Sequence, residues 1–149
     1  MRTTRTIRLG ALGLAAAAAC TVAVAGPANA VDPGRGTSVI ALNTGQEVTD
    51  ARGGAHGLFL YTIDGDELCY TLEVSGLTEP AVAAHIHLAP RGTAGDVVVP
   101  LTVEPSTDFV TEACVTDSDV PAIADDPAAY YVNVHTSTYP GGEIRGQLH

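Results

Sequence analysis

The sequence predicts an all-β domain, an antiparallel Greek-key-like sandwich of about eight strands with one short helix. Short β-like runs recur along the chain, turn residues separate them, and their spacing of about ten residues suits a sandwich rather than alternating strands and helices. A length of 149 residues, with 5% aromatic content and no Trp, fits one domain with a modest core.

Residues 1–30 read as a secretory signal peptide. Arg2, Arg5 and Arg8 precede an apolar run over residues 9–25, and Ala28-Asn29-Ala30 offers a small-x-small site for cleavage after Ala30. Cys20 would suit acylation in a lipoprotein, but Ala17 stands where that modification wants a bulky aliphatic residue. Residues 31–36, with Asp, Pro, Arg and two Gly, read as a disordered leader, and residues 37–149 as the β domain. The expected mature chain therefore carries four Arg against seventeen acids, a formal charge of −13. Such a polyanion is repelled by phosphate backbones and anionic lipid, which disfavours nucleic acid and membrane surfaces, and it attracts cations. No further stretch approaches the roughly 20 apolar residues of a membrane span, so export and release are expected.

Strands are expected at residues 38–42, 54–63, 67–74, 82–88, 96–103, 111–116, 130–136 and 143–148. Asp64-Gly65-Asp66, Ser75-Gly76, Pro90-Arg91-Gly92 and Pro140-Gly141-Gly142 punctuate them with turns. The one helical candidate is residues 119–125, capped by Ser118 or Asp119, with Pro121 in the first turn, where a missing N–H is tolerated. Cys69 and Cys114 are the only cysteines of the expected mature chain and are predicted to be joined in an oxidising compartment.

Alternation assigns the faces. Leu68, Tyr70, Leu72 and Val74 share one side of their strand, and Val132 and Val134 one side of theirs, joined in the core by Leu58 or Phe59, Ile86 and Ile144. Tyr131, Asn133 and His135 then face the other way, and His85 and His87 stand together on one face of the run Ala84-His85-Ile86-His87-Leu88. Pairing core with core in the hairpin around Pro140-Gly141-Gly142 sets Val134 opposite Ile144, Asn133 opposite Arg145 and His135 opposite Glu143.

The segments AAHIHLAPRGTAGDVVVPL (83–101) and YYVNVHTSTYPGGEIRGQL (130–148), preceded by LNTGQEV (42–48), resemble the CHRD domain, named for chordin. The resemblance spans the chain from about Ser38 to its end and implies a small extracellular β domain, with no biochemical activity attached to it. A weaker likeness is to the copper/zinc superoxide dismutase sandwich, through Gly76-Leu77, then His85 and His87, then His135. That likeness implies copper held by the three imidazoles. No His lies between Leu88 and Thr116, so the bridging and zinc-site histidines of that family have no counterparts and a zinc site is not expected. His56 would have to fold back to join the set.

Two readings of the histidines stay open in the sequence. On a solvated sheet face they would only hydrogen-bond locally; converging, they would hold a metal, with Glu143 accepting the second ring N–H of His135 as an outer-shell carboxylate does. The corresponding functions are a non-enzymatic secreted module that binds a ligand, matrix or metal, which is favoured, and a copper-dependent redox enzyme of superoxide-dismutase type. Hydrolysis is disfavoured because no G-x-S-x-G occurs and the acids are scattered over turns. Nucleotide binding is disfavoured because the chain has no Lys and no helix follows Gly45 or Gly53-Gly54.

Overall fold

The computed structural model describes residues 36–149, so the expected signal peptide and all of the expected leader except Gly36 lie outside the described residues. In chain order the elements are β1 (Ser38–Asn43), β2 (His56–Asp64), β3 (Glu67–Ser75), β4 (Ala81–Leu88), β5 (Asp96–Leu101), β6 (Phe109–Thr116), α1 (Val120–Asp125), β7 (Tyr130–Thr136) and β8 (Ile144–Gln147). All strand pairs are antiparallel, and the order β5-β4-β7-β8-β1-β2-β3-β6 makes one sheet that is nearly closed on itself. Among the described residues the all-β expectation holds, with eight strands, one short α-helix and two single 3-10 turns at Thr44–Gln46 and Pro127–Ala129. β5 and β6 form the two ends of the sheet, and Pro100 is accommodated in β5 because an end strand has one row of N–H groups without a ladder partner.

One core fills the folded sheet. Leu68, Tyr70, Leu72 and Val74 of β3 are buried, as alternation requires, together with Ile86, Val132, Val134 and Ile144. Of the two candidates in β2, Phe59 is the core residue and is fully buried, whereas Leu58 is 39% exposed. The register decides this, because Phe59 pairs with Leu72 and Ile40 while Leu58 pairs with Glu73 and Ala41. Phe59 lies against Tyr61 and Tyr70, with ring centroids 5.5 and 5.4 Å away. Gly65-Asp66 closes the β2–β3 hairpin in two residues, and φ +63° at Gly65 is a conformation that glycine adopts without steric cost.

Cys69 and Cys114 face each other directly on β3 and β6, 4.0 Å apart at Cα, and are disulfide-bonded. The bridge fastens the end strand β6 to the sheet and is worth roughly 4 kcal/mol in the chain-entropy account. Helix α1 begins one residue later than expected, and neither proposed capping side chain caps it. Asp119 occupies the N-cap position without a side-chain cap bond, and its own N–H is taken by the Asp117 carboxylate. Strand β8 begins at Ile144 rather than Glu143, because the turn at Tyr139–Gly142, with φ +121° at Gly142, delays the ladder.

The largest departure from the sequence reading concerns the far face of β7. All seven residues of this strand are buried, including those expected to face outward. Segments on that side cover it: Thr49 donates to Gly142 O, Arg145 donates to Pro90 O and Thr93 O, and Gln147 donates to Ala89 O. The domain thus carries a second, polar interior on the outer side of β4, β7 and β8.

Candidate metal centre

His85, His87 and His135 meet in that polar interior. β4 and β7 are neighbours in the sheet, with His85 opposite Asn133, His87 opposite Tyr131, and His135 opposite Ala83. The three side chains share a face, so His135 lies diagonally across from His85, and one nitrogen of each ring falls within 4.8 Å of the other two. His87 and His135 are only 6% and 7% exposed, and His85 is half-buried. His135 lies on the face that alternation assigns to it, and the covering loops bury that face, which the sequence left open.

Each ring is oriented by its other contacts. His87 Nδ1 donates to Gly95 O at 2.9 Å, which leaves Nε2 with a lone pair, buried and without a hydrogen-bond partner. His135 Nδ1 donates to Pro140 O at 3.0 Å, which leaves its Nε2 as an acceptor. That acceptor receives the His85 Nδ1–H, 3.0 Å away. Shifting the His85 proton to Nε2 would free Nδ1, and the set would then present three lone pairs, from His85 Nδ1, His87 Nε2 and His135 Nε2. Burial, followed by the neighbouring His87 ring, holds His85 below the usual histidine range. Burial lowers His135 to about 4, with the Pro140 carbonyl opposing the shift and the other two rings adding to it. Neutral imidazole is the ligating form.

Gly95 makes the His87 orientation achievable. A Cβ at this position would collide with the Leu88 carbonyl oxygen and stand 2.7 Å from Ala89 Cβ, so only glycine lets the backbone approach β4 closely enough to offer its carbonyl to His87. Gly95 N donates to the Tyr131 hydroxyl, and the Tyr131 ring stacks on His87 with centroids 4.8 Å apart and planes 6° from parallel. From β8, on the other side of β7, the Arg145 guanidinium lies 3.3 Å from the Tyr131 centroid.

Two expected participants are elsewhere. Glu143 does not reach His135: it is fully buried, and its carboxylate accepts from Thr78 N, Thr78 Oγ1 and Thr136 Oγ1. The residue precedes the first rung of β8, so it does not follow the alternation that set it opposite His135, and Pro140 O takes the role assigned to it. The register itself is as read, with Val134 opposite Ile144 and Asn133 opposite Arg145. His56, at the exposed start of β2, turns its Nδ1 to Gly54 O and does not join the triad. A second grouping, Glu67 with Cys69 and Cys114, has its sulfurs in the disulfide and offers no thiolate.

The family model of the CHRD domain matches residues 39–148. The chain belongs to the CHRD family. Comparison with curated proteins and with solved structures finds no match. The matched span contains all three histidines, Gly95, Tyr131 and Arg145, so the polar interior lies wholly within this CHRD domain. Gly95, Pro140 and the Tyr131–Arg145 contact were missed as participants in sequence reasoning. Tyr131 and Arg145 were legible only as occupants of the outer face, and the one available signal for Gly95 was a glycine between Ala94 and the predicted strand start at Asp96.

Proposed function

We propose that this CHRD domain is a secreted, non-enzymatic module that binds one copper ion through His85 Nδ1, His87 Nε2 and His135 Nε2. The observation that carries the proposal is the arrangement of the rings: three ligand nitrogens lie within 4.8 Å of one another, while His87 and His135 donate their remaining N–H groups to backbone carbonyls. Outer-shell hydrogen bonds of this kind fix the tautomer of a metal-ligating histidine. Imidazole nitrogens suit copper, and among divalent ions copper binds most tightly to a given nitrogen site. The acidic chain concentrates cations near it.

Secretion is supported by the signal-like residues 1–30 and by the disulfide, and no described helix is long and apolar enough to cross a membrane. A binding role is supported over a hydrolytic one by the chemistry of the cluster, which has three imidazoles and neither nucleophile nor paired carboxylates. Titration of the full chain with Cu²⁺ and Zn²⁺, with metal analysis, tests the proposal. One copper per chain, bound far more tightly than the millimolar level and in preference to zinc, with binding weakened at least tenfold in His87→Ala, is the expected result. No copper site tighter than roughly millimolar would overturn it.

A further inference from the structure

Resting on the copper reading above, we infer that the triad holds Cu(I) in preference to Cu(II), and that the buried Arg145 is the residue that sets the preference. Coordination number is the first argument. The cluster offers three imidazoles, and two side chains near it are otherwise engaged: the Tyr131 hydroxyl accepts from Gly95 N, and Glu143 is bound to Thr78 and Thr136. The Asn133 amide nitrogen points toward Gly141 O at 3.5 Å, while its Oδ1 is buried without a hydrogen-bond partner; as a neutral amide it brings no charge to the centre. Cu(II) favours a tetragonal set of four or more ligands, whereas the filled d shell of Cu(I) imposes no such demand and accepts three.

Charge is the second argument. All three ligands are neutral, so the occupied centre carries the full charge of the ion, and two of the three rings are almost wholly out of water. Removing charge from water costs more for the doubly charged ion. Arg145 adds to that cost. Its residue is 1% exposed, and its guanidinium donates to Pro90 O, Thr93 O and Gln147 Oε1, all neutral acceptors. Only the thickness of the Tyr131 ring separates it from His87, because Arg145 lies 3.3 Å from one ring that is itself 4.8 Å from the other. A fixed positive charge at most about 8 Å from the ligand disfavours the second unit of charge on copper by roughly thirty-fold, at an effective dielectric of about 20. Acids act in the opposite direction: those on the surface are screened over a Debye length of about 8 Å, whereas the buried Glu143 carboxylate, bonded to Thr136 next to His135, is not and offsets part of the Arg145 effect. Glu47, the carboxyl that interacts with Arg145, is pushed up to about 7 by its own burial, so below neutrality it is mostly protonated and leaves the guanidinium uncompensated.

The test measures both affinities on the full chain at pH 6.5. Cuprous ion is titrated anaerobically, with ascorbate as reductant, against bicinchoninate, and cupric ion aerobically against nitrilotriacetate. Cu(I) bound at least about a hundredfold more tightly than Cu(II) is the expected result, with the ratio narrowed about thirty-fold in Arg145→Met and kept in Arg145→Lys. Equal or tighter binding of Cu(II) by the wild-type chain overturns the inference while leaving the copper site standing, and this arm needs no variant to fold. An unchanged ratio in a folded Arg145→Met overturns the role of Arg145. Failure of both ions to bind overturns the site and the inference together.

Discussion

His85 Nδ1 lies 3.0 Å from His135 Nε2, although the two residues are not partners in the β4–β7 ladder. His85 is opposite Asn133 and His135 is opposite Ala83, so the contact runs diagonally across two strands whose other faces pack in the core. In the metal-free chain a hydrogen bond spans the gap. A bound ion would replace that single proton bridge with three metal–nitrogen bonds while His87 and His135 kept their links to Gly95 and Pro140.

Burial lowers His135 to about 4, so in the folded, metal-free chain its ring stays neutral through the range in which an unfolded histidine, near 6.5, takes up a proton. The unfolded state then binds more protons than the folded state, and stability falls as pH drops from about 6.5 through 4. The loss expected is on the order of 2 kcal/mol, discounted for partial solvation. Urea unfolding at pH 7 and pH 4.5 checks it, with His135→Asn expected to flatten the slope. By the same shift, protons compete with copper for His135 itself only well below pH 6.5.

Glu47 behaves in the opposite sense. Burial raises it to about 7, against the Val48 backbone N–H, Arg145 and Asn133, which pull it down. The folded state binds the extra proton, so this contribution is complete below pH 4.5 and is lost as pH rises through 7. Glu47→Gln should raise the melting temperature at pH 8 relative to wild type, by the equivalent of about 1–2 kcal/mol, and make little difference at pH 4. Thermal melts at the two pH values distinguish this from a uniform effect.

Gly95→Ala should weaken copper binding by about ten- to hundred-fold while the domain stays folded. The added methyl meets the Leu88 carbonyl and Ala89 Cβ, so the backbone must retreat and the Gly95 carbonyl leaves His87 Nδ1. Circular dichroism establishes the fold and competitive copper titration reads the effect.

The disulfide should be separable from the site. Cys69 and Cys114 join β3 and β6, whereas the triad lies on β4 and β7 in the other half of the strand order. Cys69→Ser with Cys114→Ser should cost about 2–4 kcal/mol in chemical denaturation and leave the copper affinity of the folded fraction unchanged.

What the sequence made legible follows from which interactions are local. The strands were readable because each alternates against one core, and the register of Val134 with Ile144 followed from pairing apolar residues across a short turn. The three histidines could be placed on faces for the same reason. Their burial could not, because it depends on residues 44–51, 89–95 and 139–142 folding over β7, and loops leave no periodic trace. Glu143 misled because alternation was extended one residue past the start of β8, into a turn where it no longer holds. Gly95 was invisible because its role is a close approach between backbones, which no local pattern records.

X-ray absorption at the copper edge on the copper-loaded full chain, which sees either oxidation state, tests whether one copper sits on three imidazoles. The expected first shell is three imidazole nitrogens at about 2 Å, with outer-ring scattering from three rings, reduced to two in His87→Ala. A first shell of oxygen alone, or a spectrum that His87→Ala leaves unchanged, would contradict it.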